Sequence, residues 1–412
     1  MPDSEKQKIT PADALRGDSP LVLVARLEPV GGLDRFQPAG FPEVGHRIYP
    51  APRGDGRVEQ VCIVDSAASM ANHLESVCLR GPHDYELVED LQGMPYVRCV
   101  TGGLDGGRVA TPEVVVTSLT EGHRIASTYF LEGVRDTSAV TRANSLREDA
   151  NKLKEEAKKL KNDDGKKKEA EGKKKEAEAK KIEQEATLQA ALIRECGIEL
   201  AGSSKAHPPT EKWWSVFKTI FKYDPNSLVH GVLFPQWQIK IQRVLTAHLE
   251  AFGASRVDRS GVKFDRLGKT TSGQPIFAVD DATAREIRAT FVLDLSLVRS
   301  FGRQDGAGAL GLTDKQEEFV VALALWKIQQ LLAAPFRFRS GCHLRCASLK
   351  SGGQEVEIAV NIKDAIRDAG FTTDPRITDV WWPREELYRE GKEEEGTKTA
   401  GGGEDDGNGQ ED

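Results

Sequence analysis

Two adjoining segments decide the fold class: the apolar run Val61-Cys62-Ile63-Val64 and the segment that follows it, Asp65-Ser66-Ala67-Ala68-Ser69-Met70-Ala71-Asn72-His73-Leu74-Glu75. The apolar run predicts a short strand. Asp65 stands where a helix N-cap belongs, and Met70, Leu74 and Val77 then recur at helical spacing. The same order of strand then helix returns at residues 114–131 and 356–370. This alternation indicates helices packed on a sheet, in an α+β or α/β arrangement.

Three further segments extend this pattern. Residues 21–28 alternate at period two, which predicts a strand with one apolar face. Residues 291–298 are apolar at most positions, which predicts a strand buried on both faces near the centre of a sheet. Thr313 and Gln316 form a capping-box pattern ahead of a helix that is apolar nearly all round and stops at Ala334, before a proline. We expect that helix to lie in the core.

Two segments have compositions that cannot form a globular core. Residues 145–186 are almost entirely Lys, Glu and Ala, with Leu and Ala at alternating four- and three-residue spacing and a turn signal at Asp163-Asp164-Gly165. We expect a projecting helical hairpin there, with a capping box formed by Ser145 and Glu148. Residues 385–412 hold eleven acidic and three basic residues. Because this tail buries too little apolar surface to offset the entropy of ordering, we expect disorder.

The composition narrows the function classes. The chain has 412 residues, 39% of them hydrophobic, which suffices for a real core, and a net charge of -7 that resides mainly in the tail. It has no apolar stretch of the roughly 20 residues that cross a bilayer and no N-terminal signal region, so we expect a soluble cytoplasmic protein with no membrane contact. Six scattered cysteines are too sparse for a disulfide framework and predict reduced thiols.

Neither a metal nor a nucleotide motif stands out in the sequence. Cys342-His343-Leu344-Arg345-Cys346 contains three potential metal ligands, but a structural zinc site usually needs a fourth. The glycine-rich stretches lack the residues of a phosphate-binding fingerprint around them. We therefore expect no metal and no cofactor.

A stripe of small polar side chains marks the helix predicted after the first strand. Asp65, Ser69, Asn72 and Ser76 follow helical spacing opposite the apolar face, and Ser66 stands at the helix start. Small hydroxyl and amide groups let a nucleic-acid backbone approach closely, and free amides at a helix start favour anions. The alternative is that the stripe faces solvent or packs against another helix.

Arginines flank aromatic residues in two other segments. In Arg35-Phe36-Gln37 the ring can stack on a base while the guanidinium pairs with a phosphate, or the ring can anchor the loop in the protein's own core. In Phe336-Arg337-Phe338-Arg339, period two places both arginines on one face of an extended segment and both rings on the other. The second segment predicts an amphipathic strand and a candidate basic rail.

The remaining candidates are cations and histidines. Lys240 and Arg243 lie on a helix that we predict after Trp237, and His248 falls on its apolar face, which suggests a core histidine. Asp65, His73 and His123 are the candidates for acid–base or metal-assisted RNA cleavage. No motif fixes the mutual geometry of these three residues.

Four segments together show a family resemblance: Asp34-Arg35-Phe36-Gln37-Pro38-Ala39-Gly40-Phe41-Pro42, the helical segment at 65–75, Ser118-Leu119-Thr120-Glu121-Gly122-His123-Arg124-Ile125-Ala126-Ser127, and Phe336-Arg337-Phe338-Arg339-Ser340-Gly341-Cys342. On these segments the chain resembles the RAMP-superfamily, Csb-type backbone subunit of type I-G (formerly I-U) CRISPR effector complexes. The resemblance runs in collinear patches from about Leu21 to Trp382, leaving out the charged insertion and the tail. It implies an α+β fold with an RRM-like (ferredoxin-like) palm, inserted subdomains and a β-hairpin thumb.

This resemblance implies a non-catalytic subunit that binds guide RNA. Copies would stack head-to-tail along the spacer and present guide bases for pairing with target DNA, together with other effector-complex subunits and a recruited helicase-nuclease. The alternatives are a RAMP-type endoribonuclease that processes or cuts bound RNA, and a stand-alone RNA-binding protein. The residues that we assign to RNA binding are Arg35, Phe36, Gln37, Ser66, Ser69, Asn72, His123, Arg124, Lys240, Arg243, Arg337 and Arg339.

The same segments divide the chain. We predict a flexible N-terminus at 1–20, the first part of the palm at 21–140, the Lys/Glu-rich helical insertion at 141–205, the remainder of the palm at 206–384 and the disordered tail at 385–412. Two regions could form the thumb, the charged insertion and residues 256–279. We favour residues 256–279 because their apolar side chains can fill a short β-arm.

Overall fold

The computed structural model describes residues 6–40, 46–160, 163–198, 208–258, 280–305, 308–371 and 376–388. Most of the thumb candidate at 256–279 and nearly all of the acidic tail lie outside the described residues, and the predictions for them are not addressed by the structure. Within the described ranges, no helix combines the length and the apolar character that crossing a membrane requires.

The described residues form twenty-two strands and twelve α-helices. The strands are β1 Gln7–Ile9, β2 Leu21–Pro29, β3 Ile48–Pro52, β4 Val58–Asp65, β5 Leu79–Gly81, β6 Asp84–Leu87, β7 Tyr96–Thr101, β8 Leu104–Asp105, β9 Arg108–Val109, β10 Glu113–Thr117, β11 Val232–Phe234, β12 Ile239–Ile241, β13 Leu245–Phe252, β14 Ser255–Val257, β15 Asp281–Thr283, β16 Glu286–Leu293, β17 Gly302–Asp305, β18 Gly308–Gly311, β19 Phe336–Arg339, β20 Cys342–Ser351, β21 Gln354–Ile358 and β22 Ile377–Trp381. The helices are α1 Pro11–Arg16, α2 Ala67–Ser76, α3 Thr128–Leu131, α4 Thr137–Lys159, α5 Asp163–Glu185, α6 Leu188–Cys196, α7 Trp213–Tyr223, α8 Asn226–His230, α9 Leu295–Arg299, α10 Asp314–Ala333, α11 Ile362–Ala369 and α12 Arg384–Leu387.

A nine-stranded sheet organises the molecule. Its order is β1-β21-β20-β2-β16-β13-β4-β3, with β19 paired to β20 off this path. Strands β20, β2, β16 and β13 pair in an antiparallel manner, and along the chain they occur as β2, α2, β13, β16, α10, β20 with other elements inserted between them. A separate three-stranded sheet has the order β10-β7-β22. The predicted α+β class is confirmed.

Helix α10 lies in the hydrophobic core, as predicted. Thr313 and Gln316 form the expected capping box, in which the Gln316 N–H donates to Thr313 Oγ1 at 3.3 Å and the Thr313 N–H donates to Gln316 Oε1 at 3.1 Å. Eleven residues of α10 are buried, because it contacts strands β16, β20 and β21 as well as helices α1, α2, α8, α9 and α11. The alternate residues Leu23, Ala25 and Leu27 of β2 belong to the same core, which confirms the period-two prediction for that strand.

Two predicted elements differ in extent or type. The strand predicted over 291–298 ends at Leu293, because Asp294 Oδ1 accepts a hydrogen bond from the Leu297 N–H at 2.9 Å and so caps α9. Its predicted central place is confirmed, since β16 lies between β2 and β13. The helix predicted after Trp237 is wrong, because the chain there forms β12 and β13. Alternate residues of β13 are buried. His248 lies on the opposite face of this strand, so it is exposed rather than buried.

The predicted N-caps of α2 and of the charged hairpin are wrong. The N-cap of α2 is Ser66, whose Oγ accepts from the Ser69 N–H at 3.1 Å, and not Asp65. The charged helical hairpin is confirmed as α4 and α5, which we call the arm, but α4 begins with Asp136 as its N-cap, so Ser145 and Glu148 lie inside the helix. Within residues 120–131 the helical part is a 3-10 turn at Arg124–Ala126 followed by α3.

Candidate nucleic-acid interface

Backbone hydrogen bonds bring three distant segments together at the start of α2. The Gln37 N–H donates to the Gly341 carbonyl at 2.9 Å, and the Ala39 N–H donates to the Val64 carbonyl at 2.9 Å. The loop after β2 is thereby held between the β19–β20 hairpin and the end of β4. We call the residues gathered here the α2 site; they are Arg35, Gln37, Asp65, Ser66, Ser69, Asn72, His73, Arg337 and Arg339.

A buried ion pair stabilises the α2 site. Arg339 Nη2 donates to Asp65 Oδ1 at 2.7 Å, and Arg339 Nη1 donates to the Val64 carbonyl at 2.7 Å. The Asp65 side chain is only 2% exposed. His73 Nε2 lies 3.3 Å from Asp65 Oδ2. Burial acts to raise the pKa of Asp65, but the contacts with His73 and Arg339 outweigh it and hold this pKa below its ordinary value, so the carboxylate is ionised.

Arg339 therefore does not form an exposed rail with Arg337, which corrects that part of the prediction. A register shift lies between Arg337, which pairs with His343, and Arg339, which pairs with Cys342. This irregularity breaks the period-two alternation, so Arg337 is exposed while Arg339 turns toward Asp65. Arg339 positions the loop and the helix, and Arg337 faces solvent.

Phe36 is a core anchor, the second of the two predicted alternatives. Its side chain is 2% exposed, and its backbone exchanges two hydrogen bonds with Ala282, at 2.9 and 2.8 Å. A base cannot stack on a ring that has no free face. Beside it, Arg35 is exposed and lies 3.3 Å from Asp281.

The polar groups of α2 differ in how much they can offer a ligand. The Ser66 hydroxyl is occupied as the helix cap. Asn72 is exposed, Ser69 is half-buried, and His73 stands edge-to-face against Phe338 with ring centroids 5.0 Å apart. The α2 site therefore presents an amide, a hydroxyl, an imidazole and two arginines around a buried ion pair.

A second cluster collects four of the predicted residues in one pocket of about 330 Å³. His123, Arg124, Lys240 and Arg243 line it together with Gly122, His230, Gly231, Val232, Leu233, Ile241 and Gln242. We call it the cation pocket, since three of its lining residues are Lys or Arg, two are His, and no carboxylate is among them. Lys240 and Arg243 are exposed and have no ion pair within the described part of the chain.

Arg124 forms the inner wall of the cation pocket. It is buried, its backbone has φ of 52°, and its guanidinium donates two hydrogen bonds to Glu75, at 2.7 and 2.9 Å. Arg124 Nη1 also donates to the Gly231 carbonyl at 3.2 Å. Gly231 has φ of 79°, and a Cβ there would lie 2.9 Å from the Ile241 carbonyl oxygen, so a larger residue would not fit.

A buried polar network supports that wall, and the sequence analysis missed it. Asn226 Nδ2 donates to Glu75 Oε1 at 2.6 Å, and Lys327 Nζ donates to Asn226 Oδ1. Lys327 is fully buried, and this burial lowers its pKa. Burial also depresses the pKa of His230 far below its usual value, so its imidazole is neutral. A lysine and an asparagine within apolar helices were the available signals for such a network.

Residues 21–167 match the family model described as CRISPR-associated protein GSU0053. The match covers β2, the loop after it, α2, residues 118–127 and much of the arm. No curated protein matches the chain. The family similarity supports a CRISPR-associated protein with a role in defence. The matched range contains Asp65, His73 and Arg124 but neither Lys240 nor Arg339.

The catalytic and metal candidates are distributed unevenly over the two sites. Asp65 and His73 are in contact, whereas His123 lies at the cation pocket. Cys342 is buried and His343 is exposed on the opposite face of β20. Among the described residues, no group of three or more His, Cys, Asp or Glu side chains is arranged to hold a metal ion.

Proposed function

We propose that this chain is a guide-RNA-binding backbone subunit of a type I-G-like, RAMP-superfamily CRISPR effector complex and acts without catalysis in the cytoplasm. The observation that supports this proposal most is that a chain matching a CRISPR-associated family also has two cationic surfaces. The twelve residues that the sequence indicated fall into these two places, the α2 site and the cation pocket, with Phe36 in the core beneath the first.

At the α2 site, the small side chains would let a phosphodiester backbone lie close to the helix. Ser69 and Asn72 offer hydrogen-bonding groups, while Arg35 and Arg337 offer charge at the rim. The ion pair between Asp65 and Arg339 keeps these groups in place without exposing the carboxylate to the RNA. Such contacts read charge and shape, so the sequence of the guide would matter little to affinity.

At the cation pocket, Lys240 and Arg243 would bind phosphate, with His123 beside them at the rim. An anion there would meet Lys240 and Arg243, which form no ion pair with any described residue, while the carboxylate of Glu121 lies 3.5 Å from His123 at the rim. Lys240 lies on β12 and Arg243 lies three residues further along the chain, just past the end of that strand. Both therefore adjoin the β11–β12 hairpin, where Arg124 donates to the Gly231 carbonyl. The two sites would then act together along one RNA.

The strand order supports the RRM-like palm of this proposal. Along the chain, a βαββαβ order is formed by β2, α2, β13, β16, α10 and β20. In the sheet, the four strands lie in the order β20-β2-β16-β13, so the last strand lies beside the first and the third lies between the first and the second. Strands β14 and β15 pair in an antiparallel manner at the two ends of the thumb candidate. Copies would stack head-to-tail on the guide, since a repeated interface that does not close forms a filament. Guide bases would then pair with target DNA, and other effector subunits and a helicase-nuclease would join the complex.

The first experiment measures the mass of the purified protein alone and with a guide-length RNA. The proposal expects stepwise multimers on intact RNA, and affinity that does not depend on spacer sequence and falls with added salt. The variant Lys240→Gln/Arg243→Gln/Arg337→Gln should lower the salt slope by about 2, because each single-strand phosphate contact contributes roughly 0.7. The control Lys180→Gln/Lys181→Gln/Lys218→Gln removes the same charge elsewhere and should leave the slope near that of the wild type. Equal losses in both variants, or a monomer that stays monomeric on RNA, would sink the proposal.

A second candidate function is a RAMP-type endoribonuclease, and the 3.3 Å contact between Asp65 and His73 favours it. A carboxylate that orients an imidazole is a common acid–base arrangement. His73→Gln tests this without removing the partner of Arg339. RNA that the wild-type protein shortens in the presence of Mg²⁺, and that His73→Gln leaves intact, would move the assignment to the nuclease.

A further inference from the structure

The arm is a thin and closely packed pair of helices. Small residues recur every seven positions on both helices, at Ala143, Ala150 and Ala157 in α4 and at Gly165, Gly172 and Ala179 in α5. A Cβ on Gly172 would lie 3.1 Å from the Ala150 carbonyl oxygen, so the two backbones approach closely. With 23 residues in each helix, the arm is about 34 Å long at 1.5 Å per residue.

Interhelical ion pairs account for part of the charge on the arm. Four pairs cross between the helices: Arg147–Glu183 at 2.5 Å, Lys175–Asp149 at 3.0 Å, Lys154–Glu176 at 2.5 Å and Lys168–Glu156 at 2.5 Å. These pairs set the register of the hairpin. The lysines in these pairs are bound to carboxylates of the arm, whereas unpaired lysines remain available to a ligand.

The excess of lysine over carboxylate is concentrated at the end of the arm away from the sheet. Residues 150–160 and 163–175 contain ten lysines and six carboxylates, whereas residues 137–149 and 176–185 contain four basic residues and six carboxylates. Five exposed lysines of the distal half form no ion pair with any described residue; they are Lys152, Lys158, Lys159, Lys167 and Lys174. Near the tip, a hollow of about 490 Å³ is lined by four lysines and Glu169. Of these lysines, Lys158 forms no ion pair with any described residue, whereas Lys154, Lys166 and Lys173 are paired with Glu176, Asp163 and Glu169.

We propose that the distal half of the arm is a binding surface for the phosphate backbone of double-stranded DNA. Lysine ammonium groups at this density suit a phosphate backbone, because neutralised phosphates release their counterions. The arm contains no aromatic residue between 137 and 185. Proteins that hold single strands usually stack bases on aromatic rings, so this surface suits a duplex whose bases are already stacked.

This surface is separate from the α2 site and the cation pocket. None of the arm's lysines lines the cation pocket or contacts a residue of the α2 site in the described part of the chain. The inference therefore does not depend on guide-RNA binding, and the two can fail independently. An acidic protein surface is the other occupant that the charge would suit, and the experiment distinguishes it.

The experiment measures binding of the full chain to a blunt 30-base-pair duplex by fluorescence anisotropy over a salt series. The variant Lys158→Gln/Lys159→Gln/Lys167→Gln keeps good helix formers and removes three unpaired charges. We expect at least tenfold weaker binding and a salt slope reduced by about 3, since each lost phosphate contact lowers the slope by about 1. Circular dichroism should show unchanged helix content.

The matched control is Lys180→Gln/Lys181→Gln/Lys218→Gln, which removes three exposed charges from the arm base and α7. It should bind the duplex within about twofold of the wild type, because those lysines lie outside the proposed surface. Equal weakening in both variants, or no weakening in the distal variant, overturns the inference and leaves an acidic protein as the occupant to test. The same proteins are measured with single-stranded guide RNA: a distal variant that weakens only there also overturns it, while leaving the proposed guide function standing.

Discussion

Replacing Arg124 by methionine should destabilise the protein far more than its place on a loop suggests. The side chains of Arg124 and Glu75 are 7% and 3% exposed, and two hydrogen bonds of 2.7 and 2.9 Å join them. In Arg124→Met the Glu75 carboxylate stays buried with Asn226 as a remaining donor. Removing one partner of a buried pair costs about 3–5 kcal/mol, and we expect about 3 kcal/mol because Asn226 still stabilises the carboxylate.

The assay is urea-induced unfolding of the wild type, Arg124→Met, Glu75→Gln and the double variant. The double variant no longer buries an unpaired charge at this position, so it should be more stable than the sum of the single effects predicts, by about 1.5 kcal/mol or more. A loss below about 1 kcal/mol in Arg124→Met, or strictly additive effects, would refute the assignment of this pair as a buried structural contact. Arg124→Met should also reduce RNA affinity less than Lys240→Gln does, because its guanidinium is already occupied.

Three further outcomes are expected. Burial raises the pKa of Asp224 from 3.8 to about 6, so its contribution to stability is full at low pH and is lost as pH rises through 6. Asp224→Asn should therefore gain stability relative to the wild type between pH 4.5 and pH 7.5. An equal difference in unfolding free energy between the two proteins at both pH values would contradict this. Phe36→Ala should cost about 3–5 kcal/mol of unfolding free energy, while Phe36→Leu should keep RNA affinity, and a selective loss of affinity in Phe36→Leu would restore the stacking role. Removal of residues 389–412, which carry nine acidic and three basic residues, should tighten RNA binding at low salt, and unchanged affinity would show that the tail does not restrain it.

The sequence predicted those elements whose signals are local. The capping box at Thr313 and Gln316, the apolar alternation of β2 and the seven-residue repeats of the arm each lie within a few turns of chain, and each is present in the structure. Capping and side-chain periodicity act between near neighbours, so a single sequence contains them. The order of such elements indicated an α+β or α/β arrangement, and the family resemblance implied the α+β class.

The predictions failed where two periodicities compete. Between Trp237 and Phe252 the apolar residues fit a helical face and an alternating strand about equally. Pairing of β13 with both β4 and β16 decides for the strand, because the backbone groups of a central strand are satisfied on both sides. The strand conformation of residues 245–252 therefore depends on pairing partners, one of which lies far away in the chain. In that conformation His248 is exposed.

For the candidate site, the sequence by itself determined which kinds of side chain are present: arginines beside aromatics, small polar groups on α2, and lysines along the arm. The tertiary structure alone decided their roles. It buried Arg124 against Glu75, paired Arg339 with the buried Asp65, placed Phe36 in the core, and gathered Lys240 and Arg243 with His123. The physical reason is that a charge binds whichever partner lies within a few ångströms, and for residues hundreds of positions apart only folding sets that distance.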